Sequence, residues 1–124
     1  MSVVNAKEIQ DRTKGLALRV MKLVDALPRG RSADVVANQL VRCATSVGAN
    51  YRAVCRARST AEFISKMSIV VEETDETLYW LELISESGLL PPKKVQGLMD
   101  EATEFVAIFA RSRATAKKNQ QVRK

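Results

Sequence analysis

The chain is 124 residues long with 46% apolar and 27% charged side chains, the make-up of one soluble domain that can build a core without disulfides or metals. Histidine is absent, which excludes a histidine-assisted nucleophile, a histidine-ligated metal and a histidine general base. Lys and Arg number 20 against 14 Asp and Glu, and the net charge of +6 permits contact with phosphate without establishing it.

Helical periodicity begins near the N-terminus. A first helix is predicted from about Asn5 to Leu27, with Ile9, Leu16, Val20, Leu23, Val24 and Leu27 on one face. Pro28-Arg29-Gly30 breaks it. Ser32 then offers an N-cap for a second helix reaching about Arg56, whose seam is Val36, Leu40, Cys43, Val47, Tyr51 and Val54. Gly48 inside that seam reads as a place where a neighbouring helix comes close.

Ser59-Thr60-Ala61-Glu62 has capping-box spacing and opens a third helix. Phe63, Met67, Val70, Thr74, Leu78 and Leu81 form its seam, and Gly88 supplies the stop. Pro91 and Pro92 suit the first turn of a fourth helix, with Val95, Leu98, Ala102, Phe105, Val106 and Phe109 inward before the pattern fades into a polar tail. Long helices joined by short connections pack as antiparallel neighbours. The predicted fold is therefore all-α: a left-handed, antiparallel up-down-up-down four-helix bundle over residues 1–110, with residues 111–124 a basic C-terminal tail continuing helix 4. Val20, Leu40, Val47, Val70, Leu81 and Phe105 are its expected core. Cys43 and Cys55, twelve residues apart on one helix, would stand about 18 Å apart and read as free, small core residues. The N-terminus shows no signal-peptide pattern and no apolar run is long enough to span a membrane, so the expected location is the cytoplasm.

Charge is sorted along the chain. Residues 29–58 hold six Arg and one Asp, residues 59–87 hold one Lys and seven carboxylates, and residues 111–124 hold six basic groups and no acid. On a helical wheel the back of helix 3 carries Ile69, Glu73, Glu76, Trp80 and Leu83, and the back of helix 2 carries Arg42, Arg52 and Arg56 among small residues. These stripes read either as solvated surface or as two halves of an interface between copies. In the second case the acidic stripe of one copy would meet the basic stripe of the next and close a ring. Glu72, Glu73, Asp75 and Glu76 do not make a di-iron site, since that chemistry needs inward carboxylates with histidine. No phosphate-cradling glycine loop or nucleophile elbow is present, and neither an enzyme nor a cofactor is expected.

Three stretches resemble a known family. They are Gln39-Leu40-Val41-Arg42-Cys43-Ala44-Thr45-Ser46-Val47-Gly48-Ala49-Asn50, then Arg58-Ser59 with Glu62-Phe63, and Glu73-Thr74-Asp75-Glu76-Thr77-Leu78-Tyr79-Trp80-Leu81. They are similar to the "QLRRAAxSIxAN", "RSxxEF" and "E-x-x-E-x-x-Y-W-L" runs of the bacterial four-helix-bundle proteins called S23 or 23S rRNA intervening-sequence proteins. Asn50 is followed here by Tyr51-Arg52-Ala53-Val54, where the family's common continuation is Ile-Ala-Glu-Gly. The family is similar in fold to the accessory protein of diversity-generating retroelements, a pentamer that binds a reverse transcriptase and nucleic acid. The resemblance implies a homopentamer, with nucleic acid, RNA ahead of DNA, and a protein such as a reverse transcriptase as partners. The expected function is a non-enzymatic, sequence-tolerant nucleic-acid scaffold using Arg111, Arg113, Lys117, Lys118, Arg123 and Lys124, plus any helix 2 arginines not used between copies. With no aromatic residue in that tail, base stacking is not offered there. The competing expectation is a protein-interaction adaptor that uses the apolar–acidic face of helix 3 and does not touch nucleic acid.

Overall fold

The computed structural model describes residues 5–122 and contains four helices: α1 (Ala6–Asp25), α2 (Arg31–Cys55), α3 (Thr60–Ser87) and α4 (Pro92–Val122). Local chemistry sets most of their ends. The Asn5 side chain accepts from the Glu8 amide at 2.8 Å, and Ser59 Oγ accepts from the Glu62 amide at 3.0 Å. Glu62 reaches back to the Arg58 amide at 2.9 Å, one residue before the partner that a capping box would use. Gly88 stops α3 in the left-handed conformation, φ 78°. The start of α2 differs from expectation: Gly30 is its N-cap and Ser32 already lies inside the helix. The chain enters α2 through φ 150°, ψ 161° at Gly30, a region essentially closed to residues with a Cβ.

Short connections make the helices antiparallel neighbours in chain order, with α4 returning to α1. Packing is most extensive between α2 and α3 and between α3 and α4, and the α1–α4 seam is much the thinnest. All six expected core residues are completely buried. Thr13, Thr74 and Thr77 join them because each hydroxyl donates to a carbonyl one turn back, at 2.9, 2.6 and 2.8 Å, so no buried donor is left unmade. A Cβ on Gly48 would lie 3.1 Å from Thr13 Oγ1, so the missing side chain is what lets α1 approach α2.

Three seams shift from expectation. On α3, Thr77 and Ile84 are buried while Phe63 and Leu78 are only half-buried, because this helix must face α2 and α4 at once. Thr77 sits on the α2 side, with its hydroxyl 3.3 Å from Cys43 Sγ. On α4, Val106 is half-buried, one helical step round from the inward Phe105. Cys43 is buried but Cys55 is exposed, since Val54 takes the inward place in the last turn of α2. Among the described residues no helix is long and apolar enough to cross a membrane.

A basic end of the bundle as candidate nucleic-acid interface

Cations fall into two groups: those neutralised within the fold and those left without a carboxylate. Arg42 belongs to the first. From α2 it donates to Glu73 on α3 at 2.9 Å and to Glu76, with Gln39 accepting from its Nε at 3.1 Å. Trp80 Nε1 also donates to Glu76, at 3.1 Å. That indole N–H first, and the Arg42 guanidinium second, hold the Glu76 carboxyl below its usual range. Arg42, Glu73 and Glu76, expected to face one another between copies, therefore meet within one chain. Trp80 and Leu83 are half-buried beside them, and Ile69 and Tyr79 remain exposed on the outer face of α3.

The α1–α4 seam uses charge in the same way. Arg12 lies 2.8 Å from Glu104 and 3.4 Å from Glu101, with its guanidinium 4.6 Å from the centre of the Phe105 ring, and Arg19 reaches Glu101 at 2.7 Å. The hydrogen bond from Arg12 holds the Glu104 carboxyl below the ordinary carboxylate range.

The second group is spread more widely: Lys22, Arg29, Arg31, Lys93 and Lys94 stand at the end that holds the α1–α2 and α3–α4 turns, and the larger cluster stands at the opposite end. Antiparallel topology brings the C-termini of α2 and α4 to the same end, so Arg52 in the last turn of α2, its C-cap Arg56 and Arg58 beyond it join Arg111, Arg113, Lys117 and Lys118 of α4. Arg58 makes only a loose 3.5 Å pair with Glu62, and the other six make no ion pair among the described residues. The tail is helical: α4 continues from Arg111 to Val122, which spaces these charges over about 10 Å of one rigid axis. Arg123 and Lys124 lie outside the described residues. The sequence lets the α2 arginines left free between copies join the tail, and the alternating helix directions put Arg52 and Arg56 at the tail's end of the bundle.

An open groove of about 1420 Å³ lies at this end, between the outer turns of α4, the α2–α3 turn and the start of α1. Tyr51, Val54, Phe63, Met67 and Ile108 give it an apolar floor, and the Tyr51 ring leans on Phe109 with centroids 5.5 Å apart. Burial pushes the Tyr51 hydroxyl above its ordinary range, so it stays neutral. Nothing in the sequence pattern announced this groove. It arises because α4 is the longest helix and outruns the others.

The model of the family described as 23S rRNA-intervening sequence protein matches residues 6–111. The chain belongs to that family. A crystal structure of a protein of unknown function from the S23 ribosomal protein family of Bacteroides thetaiotaomicron is similar to this member, with 31% sequence identity and a TM-score of 0.75. The likeness covers 82% of this chain and 94% of that one. No curated protein matches the sequence. Relative to the 23S rRNA-intervening sequence family model, Arg113, Lys117 and Lys118 lie past the matched stretch, while Arg52, Arg56, Arg58 and Arg111 fall within it.

Proposed function

We propose that this chain is a non-enzymatic scaffold that binds the phosphate backbone of nucleic acid, RNA foremost, through the basic end of the bundle and without reading sequence. The observation that carries this is the contrast in charge pairing. Arg12, Arg19 and Arg42 are met by carboxylates, whereas six cations without one among the described residues cluster where α4 overhangs the bundle. The five cations of the opposite end that are also unpaired among the described residues, Lys22, Arg29, Arg31, Lys93 and Lys94, are fewer and border no such overhang. Unneutralised charge held on rigid helices has the character of a phosphate-binding surface, because releasing condensed counterions from nucleic acid rewards it. The family's association with 23S rRNA intervening sequences favours RNA. Titration of labelled RNA and DNA tests the proposal. With four phosphates neutralised, binding to a single strand should weaken roughly 50-fold between about 50 and 200 mM salt. Failure to bind at about 50 mM salt overturns the proposal and leaves the protein-interaction adaptor.

The proposal extends to assembly. Copies would associate through the outer stripe of α3, where Ile69 is 42% and Tyr79 53% exposed beside the half-buried Trp80 and Leu83. A ring, with five copies as the resemblance implies, would repeat the basic end and turn weak contacts into avidity. Arg42 is already occupied, so on the basic side Arg52 and Arg56 are the residues left to meet a neighbour's carboxylates. In such a ring Arg111, Arg113, Lys117 and Lys118 would remain for phosphate. Native mass spectrometry at micromolar concentration should show an oligomer that Ile69→Ser with Tyr79→Ser dissociates. A monomeric wild type overturns the assembly.

A further inference from the structure

The geometry points to the groove at the basic end as a seat for an unpaired nucleotide, so that this surface takes single strands in preference to duplex. The inference rests on the phosphate-binding reading above and adds where the bases go.

The groove's linings are of three kinds, and each matches one part of a nucleotide. Its floor brings the half-buried rings of Tyr51 and Phe63 together with Val54, Met67 and Ile108, a surface on which a base can stack. Beyond Arg111 the α4 wall is uncharged and, apart from Ala116, hydrogen-bonding: Ser112, Thr115, Asn119 and Gln120 recur along one side of the helix and offer donors and acceptors to base edges or sugar hydroxyls. Arg58 and Arg111 stand among the lining residues as cations for the backbone, with Lys117 and Lys118 further along the same helix. Although the tail has no aromatic residue of its own, the fold brings α2 and α3 aromatics opposite it. An amphipathic helix from a protein partner fits this lining less well, because the α4 wall would set amides and hydroxyls against its apolar stripe. A duplex keeps its bases stacked inside and can use only the cations.

Cys55 provides the test. It lines the groove and is exposed, whereas the other cysteine, Cys43, is buried. Alkylation by a neutral maleimide, read by mass spectrometry on the full chain, therefore reports occupancy of the groove. Saturating single strands of about ten nucleotides should slow Cys55 alkylation roughly tenfold, and a bound duplex should leave it unchanged. An RNA strand and its DNA counterpart, run in parallel, tell whether a 2′-hydroxyl matters. Tyr51→Leu with Phe63→Leu keeps apolar volume but removes the stacking faces, so single-strand affinity should fall roughly 5- to 100-fold at an unchanged salt slope. Strands that bind with normal salt dependence yet leave Cys55 reactive overturn the groove inference while sparing the phosphate-binding reading. If no oligonucleotide binds, both fall. Protection by an acidic amphipathic peptide and by no oligonucleotide also overturns the inference, in favour of a helical protein partner.

Discussion

Arg42 and Lys117 carry the same charge on the same scaffold and are used in opposite ways. On the flank, Arg42 is held by Glu73 and Glu76, just as Arg12 and Arg19 are held by Glu101 and Glu104, so these cations join helices to one another. At the end, Lys117 and its neighbours project from a helix that has outrun its partners, with no carboxylate among the described residues to meet them. The net charge of +6 hides this division. What matters for a phosphate partner is how many cations remain unmatched, and where they stand.

The largest perturbation should erase both regions at once. Val47 is completely buried, and Val47→Asp would place a carboxylate among apolar side chains at a cost of several kcal/mol. Loss of the cooperative thermal transition is expected, and an unchanged melting temperature would show that the α2 seam is misplaced. Reversing charge at the end should separate the regions instead. Arg111→Glu, Arg113→Glu, Lys117→Glu and Lys118→Glu together should weaken RNA binding more than 100-fold, as roughly four phosphate contacts are lost or made repulsive. The melting temperature should hold, since none of the four makes an ion pair among the described residues.

The flank should respond the other way and more gently. Arg12→Ala removes two carboxylate contacts and the stacking over Phe105, and should lower stability by about 1 kcal/mol with RNA affinity unchanged. Acid should have a related effect. The Glu104 and Glu76 carboxyls sit below their ordinary range in the folded chain. Their pairing therefore stabilises fully above about pH 5 and is lost as pH falls through their depressed folded values. Urea midpoints measured at neutral and acid pH should converge less steeply in Arg12→Ala than in the wild type, and equal pH dependence would mean that the α1–α4 contact is not electrostatic.

Helix existence, the Ser59 cap, the Gly88 stop and six core positions were legible because each depends on neighbours in sequence or on one period. What escaped depends on other helices. Ser32 is a good capping residue by type, but the path of the chain into α2 puts the break at Gly30. Cys55 lies twelve residues after Cys43, which turns it about 120° off that inward direction, so its exposure was within reach of the wheel. Arg42 is the instructive case. The wheel places it off the core, but only the register of α2 against α3 puts Glu73 and Glu76 within its reach in the same chain. The groove needs still more: four helix lengths and the overhang of α4, none of which leaves a local mark.

The division of charge is tested most directly by two variants that lose equal charge from different places. Arg19→Gln with Arg42→Gln removes two neutralised cations from the flank, and Lys117→Gln with Lys118→Gln removes two free ones from the end. The slope of log affinity against log salt should be measured for both on one single-stranded RNA. The end variant should lose roughly 1.4 units of slope, near 0.7 for each phosphate released, and the flank variant should match the wild type. Equal slopes for the two variants would contradict the account, because binding would then follow net charge and not the unpaired end.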